Sequence, residues 1–311
     1  MLRRTEKTTL QGIQLVPMPQ HCFEDVHVTI NKEDAQLLKK LQEYAEAREK
    51  ALLKQLGSKN DDISVGNLQA AVSKENCLKA MRTTRFFACF PHLLTVEIPD
   101  NQLLSNAITK MATDDSKEKM LWAYLHLDLI DQSPKIRLFR KILDQLDKNE
   151  PFVCFSANPA EAFTMYMWTK YKYCNGKSEY FRPGLSKMDK TAMVNWFMDN
   201  NSTTSTRFLF GRCSNLGVGY SLTRAFRCFL IQPEWLRSVE EQAKGRIWRT
   251  GLAQKAVKTY TYRCILDDFE PERIIVARHN ARGIVTDEIG EATGINPEIE
   301  EEGNDDSGED N

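Results

Sequence analysis

Two arginines three residues apart are the residues whose type and spacing best suit chemistry in this chain. Arg246 and Arg249 lie in the segment 241–251, where Gln242 and Gly245 precede the first of them. Side chains at i and i+3 of a helix are neighbours, so one helix face would present both guanidinium groups. A planar, permanently charged guanidinium suits a phosphate better than a lysine does. The alternative interpretation is a solvated helix face, which is commoner for an isolated Arg-x-x-Arg pair.

A short helix must position these arginines, and alternating strands and helices lead up to it. Ser238, with Glu241 three residues later, predicts a capping box at the start of the arginine helix. The patterns predict strands at 152–156, 179–182, 207–211, 226–231 and 258–266, and helices at 159–172 and 187–199. A Gly217-x-Gly219 turn is predicted to lead into a further short helix that ends at Ala225. This order predicts an α/β fold with a parallel sheet covered by helices on both faces. Parallel sheets bind ligands at the carboxyl edge, so we expect Ser156, Gly217, Gly219 and the arginine helix to meet there.

The first 130 residues have a different pattern. An alternating run at 23–30 predicts a strand, and Asn31 caps a predicted helix at 32–56. Further helices are predicted at 66–90 and 101–130, and Ser133 followed by Pro134 starts another. We therefore divide the chain into a junction (1–30), a helical linker and protrusion region (31–130), an α/β lobe (131–282) and an acidic tail (283–311).

Composition excludes several classes of protein. The chain has 311 residues, of which 41% are hydrophobic and 27% charged, as in an ordinary globular protein. It has no apolar run long enough for a membrane span, and its polar start is unlike a signal peptide. The eight cysteines form no Cys-x-x-Cys pair, which predicts reduced core residues of an intracellular protein and no zinc site.

The net charge of −1 conceals an asymmetry. Residues 283–311 contain eleven Asp or Glu and no Lys or Arg, which leaves 42 basic and 32 acidic residues in the rest of the chain. A basic body of about +10 allows binding to a polyanion such as DNA. We expect the acidic tail to be a disordered solubilising segment, or alternatively a competitor for the basic surface.

The arginine segment resembles the last motif of superfamily-two helicases in its Swi/Snf form, Gln-x-x-Gly-Arg-x-x-Arg-x-Gly. Gln242, Gly245, Arg246, Arg249 and Gly251 match it position for position. Further segments resemble the same family in the same order: Ser133 to Lys135, Val153 to Ser156, Gly184 with Lys190 and Phe197, Leu216 to Thr223, and Gln232 to Trp235. The chain departs from the family pattern at Pro183, Lys190, Asn215, Leu216, Gln232 and Leu252.

The resemblance implies a RecA-like, three-layer lobe preceded by a mostly helical segment. It implies that Arg246 and Arg249 are catalytic arginine fingers directed at the phosphates of ATP. It also implies two further groups of site residues: nucleotide-binding or coupling residues Gln242, Gly245, Gly217 and Gly219, and DNA-binding residues Phe155, Ser156 and Thr223. ATP and Mg²⁺ would be held mainly by a first lobe, and this lobe would have no metal ligand of its own.

No phosphate-binding loop is found in the 311 residues. Gly176-Lys177-Ser178 looks like the end of one, but Tyr171 stands where its first glycine belongs, and we interpret the segment as a surface turn. The family places a run like Leu2 to Thr5 at the end of its first lobe, so residues 1–30 resemble that junction. We therefore expect this chain alone to be inactive as an ATPase.

Three interpretations follow. The chain is the C-terminal lobe of an ATP-dependent translocase of double-stranded DNA or a chromatin remodeller, a non-catalytic DNA- or protein-interaction module derived from one, or an α/β protein with a chance resemblance. The first implies duplex DNA or a nucleosome and the missing ATPase lobe or a partner protein as partners, with no membrane. Nuclear localisation and a role in remodelling or DNA repair follow from the family alone.

Overall fold

The computed structural model describes residues 9–10, 13–14, 20–34, 36–37, 39–43, 46–47, 83–95, 126–146, 150–173, 176–199, 206–217, 219–249 and 258–292. Most of the predicted helices at 32–56, 66–90 and 101–130 lies outside the described residues. Gly251, Leu252 and residues 293–311 of the acidic tail lie outside them as well. The described part of the first two helices is helical at 36–47, with gaps, and at 83–89.

A six-stranded, all-parallel sheet forms the centre of the molecule. Its strands are β3 (His21–Val28), β4 (Phe152–Ser156), β5 (Gly176–Phe181), β6 (Thr206–Arg212), β7 (Arg227–Leu230) and β8 (Thr259–Leu266), in the order β3-β8-β7-β4-β6-β5. Two short strands before it, β1 (Thr9–Leu10) and β2 (Ile13–Gln14), pair antiparallel with each other. The predicted α/β class and parallel sheet are confirmed.

Helices connect these strands. They are α1 (Leu127–Asp131), α2 (Pro134–Leu143), α3 (Pro159–Trp168), α4 (Lys187–Met198), α5 (Cys213–Leu216), α6 (Arg237–Ile247) and α7 (Glu270–Ala292). A π-helical turn, Thr169–Tyr173, extends α3, and two 3₁₀ turns occur at Lys32–Asp34 and Pro91–Thr95. Asn158 and Glu161 form a capping box at the start of α3. Of the described helices, none is long and apolar enough to cross a membrane.

The strand of the predicted junction belongs to the lobe's sheet. β3 pairs with β8 along its whole length, from His21 opposite Thr259 to Val28 opposite Leu266. Residues 21–28 are therefore part of the same sheet as the lobe that we predicted to begin at 131. This pairing joins residues 238 positions apart, so no local pattern indicates it.

Three local predictions were wrong. Gly176 to Ser178 is the start of edge strand β5 and not a surface turn, because it pairs in parallel with Thr206 to Phe208 of β6. The short helix near the two glycines precedes Gly217, as α5, and does not follow Gly219. The arginine helix begins at Arg237 after an N-cap at Leu236, so Ser238 lies inside the helix and makes no capping box.

The sheet separates two hydrophobic cores. On one face Phe139 of α2 contacts the rings of Phe152, Phe229 and Trp168 at centroid distances of 5.1 to 6.0 Å. On the other face α4, α5 and α6 cover a second core, built from buried residues such as Phe155, Phe197, Leu216 and Ile247. Of the six described cysteines, five are buried and all six are free, which agrees with their predicted place in the core. The last helix ends at Ala292, inside the segment predicted as the acidic tail.

Candidate nucleotide and DNA site

The arginine-bearing end of α6 lies at the amino edge of the sheet, not at the carboxyl edge as predicted. Near its start, Glu240 accepts a hydrogen bond from Arg263, which lies opposite the last residue of β7. After its end, the Trp248 ring stacks on His21, the first residue of β3, at 5.1 Å between centroids. The cause is topological, because a helix that joins two parallel strands must run back from the carboxyl edge to the amino edge.

Arg246 is held by the glycine loop, which we define as residues 217–226. Its Nε donates a hydrogen bond to the Gly217 carbonyl at 2.7 Å, and its Nη1 donates to the Tyr220 carbonyl at 3.4 Å. The Leu222 amide in turn donates to the Arg246 carbonyl at 2.8 Å. The structure therefore brings the glycine motif and the first arginine together, as the sequence predicts.

Arg249 does not share a helix face with Arg246. The helix ends at Ile247, and Trp248 is extended, so Arg249 follows the helix. Its Nε donates a hydrogen bond to the Gly245 carbonyl at 3.0 Å. Burial lowers the pKa of Arg246, and the positive charge of Arg249 lowers it further, so the two guanidinium groups interact electrostatically. Within the described part of the chain, neither forms an ion pair with a carboxylate.

Glycine is favoured at the motif positions for different physical reasons. Gly217 is required inside the lobe, because a Cβ there would lie 2.1 Å from the Cys213 carbonyl oxygen and 3.2 Å from the Cα of Ala243. Gly219 has φ of +83°, a conformation that favours glycine. A Cβ on Gly245 would meet nothing within 4 Å. Space inside the lobe therefore does not explain a glycine within this helix.

The other predicted site residues are not all accessible. Gln242 is exposed and Thr223 half-buried. Phe155 and Ser156 are buried, with 0% and 1% of their surface exposed. The Ser156 hydroxyl donates a hydrogen bond to the Asn158 carbonyl at 2.7 Å. These side chains shape the turn after β4 from inside, so they are not surface groups in this structure. Among the described residues no group of His, Cys, Asp and Glu is arranged to hold a metal ion.

Known proteins match only part of this chain in sequence. No family model matches the chain. It is 29% identical over 111 residues to the "Probable global transactivator" of Orgyia pseudotsugata multicapsid polyhedrosis virus, which covers 35% of this chain and 21% of that protein. It is 26% identical over 190 residues to "DNA repair protein RAD5" of Debaryomyces hansenii, which covers 60% of this chain and 15% of that protein. The chain thus matches about a fifth or less of the length of these relatives.

A solved structure decides the fold. The C-terminal part of the Fun30 ATPase domain superimposes with a TM-score of 0.55 at 15% identity, covering 84% of this chain and 89% of that one. The fold is that of the C-terminal part of the Fun30 ATPase domain. The resemblance inferred from the motifs is therefore confirmed for the lobe as a fold.

The carboxyl edge of this lobe carries a polar network that the sequence did not indicate. Arg85, from the helical stretch at 83–89, donates from Nε to the Gln232 side chain at 3.0 Å and from Nη2 to the Pro233 carbonyl. Its guanidinium also lies over the Trp235 ring, 5.5 Å from the centroid. Gln232, one of the departures from the family pattern, thus accepts a hydrogen bond through its amide oxygen from an arginine of the preceding region.

Glu161 lies in the same network and is completely buried. Burial raises its pKa to about 7, against the opposing effects of Arg85, Gln232 and Lys135. Its Oε2 accepts a hydrogen bond from the Asn158 amide at 3.3 Å. The turn after β4 is therefore built on a carboxyl group that titrates near neutral pH.

A buried ion pair connects α2, β7 and α7. Lys135 donates from Nζ to Glu272 at 2.6 Å and to the Ile231 carbonyl at 2.9 Å. Both side chains are fully buried. The second oxygen of Glu272 accepts from the Leu266 amide at 2.8 Å, so the pair also fixes the end of β8. The lysine of the Ser-x-Lys resemblance is therefore a structural anchor of the lobe.

A second network secures the edge strand β3. Arg263 of β8 donates from Nε and Nη2 to the two oxygens of Asp25, at 2.6 and 2.7 Å. Its Nη1 donates to Glu240 of α6 at 2.8 Å, and His279 of α7 lies 3.3 Å from the same atom. One guanidinium therefore ties strands β3 and β8 to helices α6 and α7.

Basic side chains follow the strands at the carboxyl edge. Arg212 ends β6 opposite Ser156 and donates from Nε to the Ala157 carbonyl at 3.3 Å. Lys187 is exposed in the first turn of α4, which begins shortly after β5. These two residues follow strands that are neighbours in the sheet, and we call Arg212 and Lys187 together the carboxyl rim.

Proposed function

We propose that this lobe supplies two arginines and a DNA-backbone surface to a DNA-dependent ATPase whose phosphate-binding loop belongs to another lobe. Arg246 and Arg249 would stabilise the charge that develops on the transferred phosphoryl group. The single observation that carries this proposal is a pair of neighbouring guanidinium groups with no carboxylate partner among the described residues.

Gly245 supports the same assignment. A glycine inside a helix costs about 0.5–1 kcal/mol relative to alanine, and this one has open space in place of a side chain. A ligand that approaches the backbone closely gives a reason for it. We propose that this ligand is a phosphate group of ATP, with the exposed Gln242 side chain beside it.

The residues present fit ATP only in part. Two guanidinium groups suit phosphate oxygens, which Arg binds through paired hydrogen bonds. Mg²⁺ prefers carboxylate and water oxygens, and we propose that it is held by the lobe that carries the phosphate-binding loop. When bound, the metal would neutralise phosphate charge.

Duplex DNA would bind at the carboxyl rim. Contacts from Arg212 and Lys187 to phosphates fix position on DNA without reading its sequence. The buried Phe155 and Ser156 would act by shaping the turn after β4, and Thr223 through the half-buried part of the glycine loop. From the family resemblance we further propose that the DNA bound in the cell is nucleosomal.

The DNA half of the proposal is tested by titrating a labelled duplex with the 311-residue chain between 50 and 200 mM salt (roughly the range over which counterion release is measured). We expect the logarithm of the association constant to fall linearly with the logarithm of salt. Arg212→Ala and Lys187→Ala should each reduce that slope by about one. A salt-independent affinity, or slopes equal to that of the parent, would contradict phosphate contacts at the rim.

The ATP half is tested by hydrolysis assays with and without duplex DNA. We expect no turnover by this chain alone and DNA-stimulated turnover when it is joined to a first lobe of the same family. Turnover by the chain alone would overturn the assignment of the phosphate-binding loop to another lobe.

One observation favours the non-catalytic alternative. Arg246 already uses Nε and Nη1 for backbone carbonyls of its own lobe, which reduces the donors it has for a phosphate. A module of this kind would bind DNA whether or not ATP is present. Persistent inactivity of the joined protein, together with salt-dependent DNA binding, would support it.

The cellular setting is proposed on the family alone. We propose a nuclear protein of DNA repair or chromatin remodelling, and imaging of a tagged chain tests the location. A cytoplasmic signal would contradict it.

A further inference from the structure

Helix α4 packs on the lobe through its C-terminal half, which ends in the last turn around Phe197. Of its twelve residues only Phe197 is fully buried. At the other end Met188 is 83% exposed, next to Lys187 of the carboxyl rim. Because α4 follows β5 and leads to β6, it runs from the carboxyl edge to the amino edge of the sheet.

Two arginines hold that last turn. Arg207 of β6 donates from Nη1 to the Trp196 carbonyl and, at 3.0 Å, to the Asp199 carbonyl. Arg224 donates from Nη1 to the Phe197 carbonyl at 3.0 Å. The last carbonyls of a helix lack partners within it, and cations are favourable there. The end of α4 therefore depends on two guanidinium groups from outside the helix.

Arg224 belongs to the glycine loop, which also makes hydrogen bonds with Arg246 of the arginine helix. Two residues before it, the Leu222 amide donates to the Arg246 carbonyl at 2.8 Å. Arg246 returns hydrogen bonds to Gly217 and Tyr220 of the same loop. Between Gly217 and Arg224, then, the loop binds α6 on one side and α4 on the other.

We propose that Arg224 is a positioning residue that ties α4 to Arg246 through the glycine loop. A change in the contacts of Arg246 then weakens or strengthens the hydrogen bond from Arg224 to the last turn of α4. Because Lys187 lies in the first turn of the same helix, its position changes as well. One consequence of this inference rests on the proposed function: an anion bound at Arg246 would change the affinity of the carboxyl rim for DNA. The connection itself is independent of that function.

Hydrogen–deuterium exchange of the amides at 193–198 tests the connection in the full 311-residue chain. We compare the parent, Arg224→Ala, Arg246→Ala and the double variant. Each single variant should exchange at least about fivefold faster than the parent, as expected for loss of a hydrogen bond to a charged group. The double variant should exchange no faster than the faster single one. Arg246→Ala removes the side-chain hydrogen bonds to Gly217 and Tyr220, so its effect can reach α4 only through the loop that carries Arg224.

Arg207→Ala is the matched control. It removes a guanidinium from the same helix end, but Arg207 lies on β6 and not on the glycine loop. Arg246→Ala should therefore still accelerate exchange in the Arg207→Ala background. Arg224→Lys, which keeps one N–H donor for the Phe197 carbonyl, should restore slower exchange. Unchanged exchange in Arg246→Ala, or full additivity with Arg224→Ala, would overturn the proposal.

Affinity for a labelled duplex, measured on the same four proteins, separates the two ideas. If none of them binds DNA, the proposed function fails, while the exchange result stands by itself. If all bind equally and the exchange effects add, the DNA surface stands and the role of Arg224 is refuted.

Discussion

The Arg246 Nε atom lies 2.7 Å from the carbonyl oxygen of Gly217, and this hydrogen bond joins the arginine segment to the glycine loop. Gly217 in turn closes α5, which follows β6 directly. A displacement of the guanidinium therefore acts on a loop that is fixed to the sheet at both ends.

Replacement of either motif arginine should abolish catalysis but not DNA binding. In a protein that joins this lobe to a first lobe, we expect Arg246→Ala or Arg249→Ala to lower the turnover of ATP by roughly 10³–10⁵-fold. Arg273→Ala, which removes an exposed arginine of α7, is the matched control and should leave turnover unchanged. Steady-state hydrolysis and duplex affinity measure the two effects, and parental turnover in either motif variant would refute its role.

The two glycines Gly217 and Gly245 should respond in opposite ways to alanine. At Gly217 the new Cβ would meet the Cys213 carbonyl oxygen at 2.1 Å, so we expect a loss of about 1–3 kcal/mol in the free energy of unfolding. At Gly245 the space is open, and we expect a gain of about 0.5–1 kcal/mol. Urea unfolding of the isolated chain measures both.

Gly245→Ala has a second readout. If a phosphate approaches the helix backbone there, the variant that is more stable should turn over ATP more slowly in the joined protein. A more stable variant with full turnover would show that the glycine does not serve the ligand.

Glu161 should make stability depend on pH. Its pKa in the folded protein is about 7, above the value of 4.5 for an unburied glutamate. The folded protein therefore binds more protons between these values, and the free energy of unfolding falls as the pH rises through that window, by about 3 kcal/mol at most. His21 has the opposite effect. Burial lowers its pKa from 6.5 to about 4, so through His21 the free energy of unfolding falls as the pH falls below 6.5.

Glu161→Gln isolates this contribution. Glutamine keeps an acceptor for the Asn158 amide, so the capping box survives. Subtracting the free energy of unfolding of the parent from that of the variant at each pH removes the contribution of the other titrating groups. We expect the variant to be more stable than the parent at pH 8 and close to it at pH 4. A constant difference across the range would mean that Glu161 does not titrate near neutral pH.

Substitutions of the buried pair Lys135 and Glu272 should have strongly non-additive effects on the free energy of unfolding. Lys135→Met leaves Glu272 charged and buried without its partner, and we expect a loss of about 3–5 kcal/mol in the free energy of unfolding. Adding Glu272→Gln removes the charge and keeps an acceptor for the Leu266 amide. The double variant should recover most of the loss. Additive losses in a double-mutant cycle would contradict the pairing.

Much of the lobe could be predicted from local sequence. Alternating strands and helices between 152 and 266 indicated the parallel sheet, because hydrophobic periodicity and loop residues act over short distances. Motif spacing likewise indicated that Gly217 and Arg246 serve one site. The errors at Ser238 and Gly176 concern element ends, where packing and pairing decide between local alternatives.

Only the tertiary structure decided which groups meet. It placed His21 to Val28 in the lobe's sheet, buried Phe155 and Ser156, and set Arg85 against Gln232. It also stacked the Trp248 ring, just after α6, on His21. Residue types and their spacing therefore determined the elements and the chemistry available to this protein. Contacts between separate segments of the chain determined its arrangement, because strand pairing and burial depend on the whole chain and not on any one segment.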